Sequence, residues 1–308
     1  MHRVGQRFLA WLMILALVAT SIPAIAAGPM ATLSASDLHT RTAAVDRALA
    51  WLLSQQNDDG SFPAAFGSPA SITLDVLLAG VATGAEVSSW RTAPDQPSAL
   101  DYLATQVDAF ATDATSAGKL LAGIAAAVLD PRAFAGVDLV ARVKSYADAT
   151  GAFAPSALGQ AWAMLGLLAA REPLPAGAAD ALIALQQDDG GWESGPGWGT
   201  DSNTTALALQ ALAAEGLPSD HAALTQGLAY LATQQSPTGG FTYSTAWGTT
   251  ADTNSTAYAV QALIALGQNP LAPAWLQGER SPLDDLLDLQ LPEGAFEWQA
   301  GMGANLLA

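Results

Sequence analysis

The chain has 308 residues, 51% of them hydrophobic and only 13% charged, which supplies a sizeable core and argues against disorder. Asp and Glu outnumber Lys and Arg by 28 to 11, and the resulting formal charge of −17 repels phosphate backbones, so nucleic acid is excluded as a partner. Cysteine is absent and the only histidines are His2, His39 and His221, which removes disulfide scaffolds, cysteine nucleophiles and thiolate zinc sites and starves Ser-His-Asp chemistry.

The amino terminus has the layout of a secretory leader. Arg3 and Arg7 precede an apolar run from Phe8 to Ile22, and Ala24-Ile25-Ala26 offers a small-x-small cleavage site. Cleavage after Ala26 is expected, leaving a single exported domain over 27–308 with no further membrane span. An uncleaved anchor is the competing reading, because Phe8 to Ala27 is just long enough to cross a bilayer.

A repeat organises the rest. Trp51-Leu52-Leu53-Ser54-Gln55-Gln56 runs into Asn57-Asp58-Asp59-Gly60-Ser61-Phe62, and Tyr230-Leu231-Ala232-Thr233-Gln234-Gln235 into Ser236-Pro237-Thr238-Gly239-Gly240-Phe241. Leu182–Gln186 leads to Gly190-Gly191-Trp192, and Leu286–Gln290 to Gly294-Ala295-Phe296. Two weaker copies complete a set of six: Tyr102–Gln106 has lost its Gly-x-aromatic end, and Lys144–Phe153 has lost its Gln. The copies begin near 47, 98, 138, 177, 226 and 281. Each is an amphipathic helix ending in a Gly-rich turn. Ala- and Leu-rich second helices follow at about 71–84, 113–129, 156–171, 202–215 and 253–267, with so little charge that they are expected to be buried all round. The sixth second helix is expected to start at Asn305 and to be cut short at Ala308. Structurally, the repeat Gln can bond backbone at the start of the next helix, while the aromatic packs over the glycine turn.

Arg47-Ala48-x-x-Trp51-Leu52-x-x-x-Gln56-x-x-x-Gly60-x-Phe62 and its counterpart ending at Phe241 resemble the QW repeat of squalene and hopene cyclases, with Phe for the final Trp. The resemblance spans roughly residues 36–308. It implies an all-α fold, the α/α toroid of six helix pairs, shared by triterpene cyclases, protein prenyltransferases, complement thioester domains and the secreted cobalamin carriers.

The enzymes of that fold are tested by their chemistry. A triterpene cyclase needs a strong carboxylic acid, carried in the family by Asp-x-Asp-Asp, and a cavity of aromatic rings that holds cations. This chain has no such motif, and its second helices offer only Trp162 and Tyr258. Prenyltransferase zinc and thioester chemistry both need Cys. A polysaccharide-active carboxylate pair stays open, with Asp75, Asp201 and Asp252 as the acids expected near a second-helix mouth and helix capping as their plainer role.

Two second helices open almost alike, Asp201-Ser202-Asn203-Thr204-Thr205 and Asp252-Thr253-Asn254-Ser255-Thr256, with Gln210, Tyr258 and Gln261 further along and Asn305 beginning a third copy. Asp201, Asn203, Thr205, Gln210, Asp252, Asn254, Thr256, Tyr258, Gln261 and Asn305 form the candidate binding set, suited to a large ligand rich in amides or hydroxyls. The resemblance to the cobalamin carriers makes a corrinoid one such ligand. The expected function is therefore an exported toroid that binds a large polar molecule or a surface partner without catalysis and without a metal. A divergent terpenoid cyclase or prenyltransferase-like enzyme, a polysaccharide-active enzyme, and a surface interaction module are the alternatives.

Overall fold

The computed structural model describes residues 35–64, 67–306 and 308. The leader expected at residues 1–26 lies outside the described residues. No described helix is long and apolar enough to cross a membrane. The described residues form two compact units, one of 52–155 with 159–182 and the other of 35–51 with 156–158 and 183–308.

Helices come in pairs along the chain. The leading helices are α1 (Ala35–Ser54), α3 (Ala99–Phe110), α5 (Leu139–Lys144), α7 (Ala178–Ile183), α9 (Ala222–Thr233) and α11 (Pro282–Asp288). The second helices are α2 (Pro69–Ala82), α4 (Ala114–Ala126), α6 (Ala157–Ala169), α8 (Ser202–Glu215) and α10 (Thr253–Ala265). Local sequence writes most of the starts. Ser68, Ser98, Asp113, Asp138, Asp201, Asp252 and Ser281 each accept from the backbone N–H three residues on, satisfying a donor that the first helical turn cannot pair.

Two short antiparallel hairpins stand between a glycine turn and the segment that follows it. They are β1 (Trp192–Glu193) with β2 (Thr200–Asp201), and β3 (Phe296–Glu297) with β4 (Ala304–Asn305). Trp192 pairs with Asp201 and Phe296 with Asn305, so Asn305 occupies the place of Asp201. It therefore lies in an extended strand, where a helix start was expected, because the cross-strand pairing to Phe296 holds its backbone.

The repeat residues do one mechanical job. The Gln at the end of a leading helix donates its amide to the glycine carbonyl of its own turn and to a carbonyl of the neighbouring repeat. Gln56 bonds Gly60 and Trp90, Gln186 bonds Gly190 and Ala223, Gln235 bonds Gly239 and Trp275, and Gln290 bonds Gly294 and Ala44. The aromatic that closes each turn is tied in from the other side. Phe62, Trp192 and Phe241, all fully buried, donate their backbone N–H to Thr73, Thr205 and Thr256 at 3.0, 2.9 and 2.9 Å. Burying one such ring contributes about 1.5–3 kcal/mol.

The third repeat, which lacks the Gln, solves the problem differently. Gln160, from α6, donates to the carbonyls of Gly151 and Ala178 and accepts from the N–H of Phe153. One side chain thus fills both the Gln and the Thr roles.

The turn glycine itself is fixed by sterics. Gly239 has φ +94°, and a Cβ there would come within 2.6 Å of the Ser281 carbonyl oxygen at the start of α11. Gly60, Gly151, Gly190 and Gly294 repeat this pairing of positive φ with a backbone contact. Gly239→Ala is expected to cost about 2–5 kcal/mol, combining the left-handed penalty with overpacking. Gly216→Ala, at the same φ of +94° but with nothing within 4 Å, should cost only about 1–2 kcal/mol. Urea unfolding of the two variants measures the difference, and equal losses would remove the packing argument.

Candidate functional site

The aromatic-to-hydroxyl bond gives a common register for the second helices. Counting from its acceptor, the positions two before, two after and five after fall on one helical face. They are Ser71, Asp75 and Leu78 on α2; Leu158, Trp162 and Leu165 on α6; Asn203, Leu207 and Gln210 on α8; and Asn254, Tyr258 and Gln261 on α10. On α4, Ala117 stands where the acceptor would be, four residues after the Asp113 cap, and the face carries Thr115, Lys119 and Ala122. Most of these positions are half-buried, whereas most of the other residues of the second helices are buried; on α8 only Asn203 of the three is half-buried, Leu207 and Gln210 being buried. α8 is therefore buried nearly all round, as its composition suggested, while α2, α4, α6 and α10 keep a half-open side.

The ten expected site residues divide along the same line. Asn203, Asn254, Tyr258 and Gln261 are half-buried on that face. Asp201 and Asp252 are helix caps, accepting from Thr204 N at 2.7 Å and Ser255 N at 2.8 Å. Thr205 and Thr256 are fully buried and hold the turn aromatics, so their hydroxyls are already engaged. Gln210 bonds Ala206 O of its own helix at 3.2 Å, and Asn305 sits in β4. These six thus serve as caps (Asp201, Asp252), as anchors of the turn aromatics (Thr205, Thr256), in a hairpin (Asn305) or bonded to their own helix (Gln210).

Buried polarity is concentrated at the opening of α8. Asp201 is 1% exposed and its Oδ2, like the Oδ1 of Asn203, has no protein hydrogen-bond partner. Burial pushes the Asp201 carboxyl above the ordinary carboxylate range, against the lowering effect of the Thr204 N–H. Asp252 is raised for the same reason against Ser255. The phenol of Tyr243 is pushed up to about 12, first by burial and then by the charge of Asp201.

In the unit holding α2 and α4 the same face carries a charged cluster that the sequence reading missed. Lys119 Nζ lies 2.7 Å from Asp75 Oδ1, 2.8 Å from Asp75 Oδ2 and 3.0 Å from Ser71 Oγ. It also sits 5.8 Å from the centre of the Trp162 ring, over its negative face. Asp75 was expected to cap a helix; instead it lies inside α2, and Ser68 is the cap. Its side chain is 39% exposed, yet burial outweighs the attraction of Lys119 and raises its pKa. A signal was available: Lys119 is one of only two lysines in the chain, and its helix is otherwise built of small and apolar residues. Among the described residues no group of three His, Asp or Glu is placed to hold a metal ion.

No family model and no curated protein matches the chain. Solved structures do. A type II terpene cyclase from Scytonema, MstE, in a variant bound to merosterolic acid A, is 19% identical with TM-score 0.57, covering 86% of this chain and 84% of its own. A second variant of it, bound to geranylgeranyl dihydroxybenzoate, is 18% identical with TM-score 0.56, covering 86% and 82%. A glycosidase in complex with glucose is 16% identical over 89% and 90% of the chains, with TM-score 0.49. The fold is an α/α toroid. Identity this low places the toroid's architecture and leaves its chemistry to its own residues.

The caps give a pH test. The folded pKa of Asp201 lies above the unfolded value of about 3.9, so the charged carboxyl is the disfavoured form in the fold. Stability from this group is full below the unfolded pKa and is lost as pH rises through the folded pKa. Asp201→Asn keeps an N-capping side chain and removes that loss. The variant should melt above the wild type at pH 7, with the gap closing toward pH 4. A lower melting temperature at pH 7 would show that the charge is compensated.

Proposed function

We propose that this toroid is a divergent cyclase-type enzyme, exported through its leader, that takes an extended and mainly apolar ligand against the half-open face of α2 and α4. The observation that carries this is the pair of Asp75 and Lys119: a carboxyl raised by burial yet partly accessible, bonded to an ammonium that itself lies over the face of Trp162. A carboxyl whose burial favours its protonated form can donate that proton to an alkene carbon. Donation forms one C–H bond and leaves a cation on the adjacent carbon. A second double bond supplies the electron pair for ring closure, and loss of a proton to the carboxylate ends the reaction as an isomerisation with no redox change. Lys119 would stabilise the carboxylate in between. The substrate class is supported by the geranylgeranyl compound named as substrate in the Scytonema structure. The absence of Asp-x-Asp-Asp makes the proposed acid one of this chain's own.

Non-catalytic binding is the second reading, favoured by the double engagement of Asp75 by Lys119 and by the cation already over Trp162. Within it, a corrinoid gains no support: the hydroxyls of Thr205 and Thr256 accept from the protein's own backbone, and Gln210 donates its amide to Ala206 O.

Purified protein incubated with geranylgeranyl dihydroxybenzoate should give an isomer of equal mass and altered retention by liquid chromatography–mass spectrometry. Asp75→Asn should lower its formation by at least about 100-fold with little change in melting temperature. Binding without product would leave the second reading. Neither binding nor product would remove both for this ligand class.

A further inference from the structure

Four of the six exposed large apolar residues among those described stand on three successive loops: Trp198, Trp247, Trp298 and Met302. We infer that these loops form a platform that binds a neutral polysaccharide chain by stacking on its sugar faces. This is independent of Asp75, because the loops belong to repeats four to six.

The loops are built to present rings to water. Trp198 lies between Gly197 and Gly199, both at positive φ, and both glycine N–H groups donate to Glu193 Oε2 at 2.9 and 3.1 Å. Met302 lies likewise between Gly301 and Gly303, whose N–H groups donate to Glu297 at 3.0 and 2.7 Å. In the fifth repeat Trp247 is set by its own N–H to Ser244 O and by an edge-on contact with Tyr243, ring centres 5.9 Å apart. Loop geometry is therefore fixed while Trp198, Trp247 and Met302 remain 69%, 71% and 61% exposed.

The loops are also neighbours. Ser202 at the start of α8 donates its N–H to Tyr243 O and its hydroxyl to Thr242 O, joining the fourth repeat to the loop of the fifth. Thr253 at the start of α10 does the same with Trp298 O and Glu297 O, joining the fifth to the sixth. The apolar tips thus follow one another along an edge of a single unit.

Charge selects the occupant. Residues 193–200, 242–252 and 297–305 contain no Lys, Arg or His. Their acids are internally engaged, Glu193 and Glu297 by glycine N–H groups and Asp252 by Ser255. An edge without cations on a chain of charge −17 has nothing to hold an anionic lipid headgroup or an acidic polymer. What remains is rigid indole surface flanked by small hydroxyl residues such as Thr245, Thr249 and Thr250. That combination suits uncharged rings with one apolar face and hydroxyls at the rim, at reduced entropic cost because the loop backbones are already held.

Affinity electrophoresis and pull-down of the full chain with cellulose, chitin, xylan and soluble starch test this. At least one glycan should retain the protein. Trp198→Ala with Trp247→Ala should weaken retention about tenfold or more, from roughly 0.5–1.5 kcal/mol per aromatic contact. Asp75→Asn should bind as the wild type does, which separates this proposal from the cyclase reading. Retention by none of the four, or undiminished retention by the double variant, overturns it. So does tryptophan-dependent binding to phosphatidylcholine vesicles without binding to any glycan, which would make the edge a lipid-facing one.

Discussion

The backbone contact between each glycine turn and the neighbouring repeat is the constraint on which the rest of this structure depends. Where Gly239 meets Ser281 there is no room for a methyl group, and where Gly294 meets Arg47 the same is true across 247 residues of chain. Close approach brings the carbonyls of two repeats within reach of one amide, and the repeat Gln joins them. The aromatic then covers the turn and is pinned from below by a hydroxyl of the second helix. Each part presupposes the others: without the glycine the Gln cannot span both carbonyls, and without the Gln two buried carbonyls are left unpaired at about 1–3 kcal/mol each.

This explains what the sequence could and could not tell. The repeat was legible because Gln, Gly and aromatic must recur at fixed spacing to make these contacts, and the second helices follow within three residues of their expected ends. The lost Gln of the third repeat was legible as a loss, but not its replacement, because Gln160 acts from the next helix, nine residues beyond Gly151. Serine, threonine and asparagine at a helix opening look alike in sequence. Which of them are caps, which hold a distant N–H and which face outward depends on a bond between Thr256 and Phe241, fifteen residues apart. The candidate set of Asp201, Thr205, Asn203 and their copies therefore mixed three different jobs.

The same division separates stability from function. The half-open face of the second helices uses none of the residues in the glycine, Gln, aromatic and hydroxyl contacts, so its side chains can change with little effect on the joints between repeats. At the position two after the anchor the chain carries Asp75, Lys119, Trp162, Leu207 and Tyr258, an acid, a base, two aromatic rings and an aliphatic side chain on one scaffold. A fold whose joints leave one face free in this way can host unrelated chemistries, which is why architecture shared with terpene cyclases does not carry an activity with it.

The charged pair at that position is the part of the face that stability does not explain. An ion pair removed from water recovers its desolvation cost only with good geometry, and apolar residues of similar volume often serve the fold as well or better. Lys119 and Asp75 have that geometry, with Ser71 as a further partner, yet burial still pushes the carboxyl toward its neutral form. A helix otherwise built of small and apolar residues gains no packing from such a group. Sites that break a local rule without benefit to the fold are where chemistry is to be sought, and in this chain the rule is broken at Asp75.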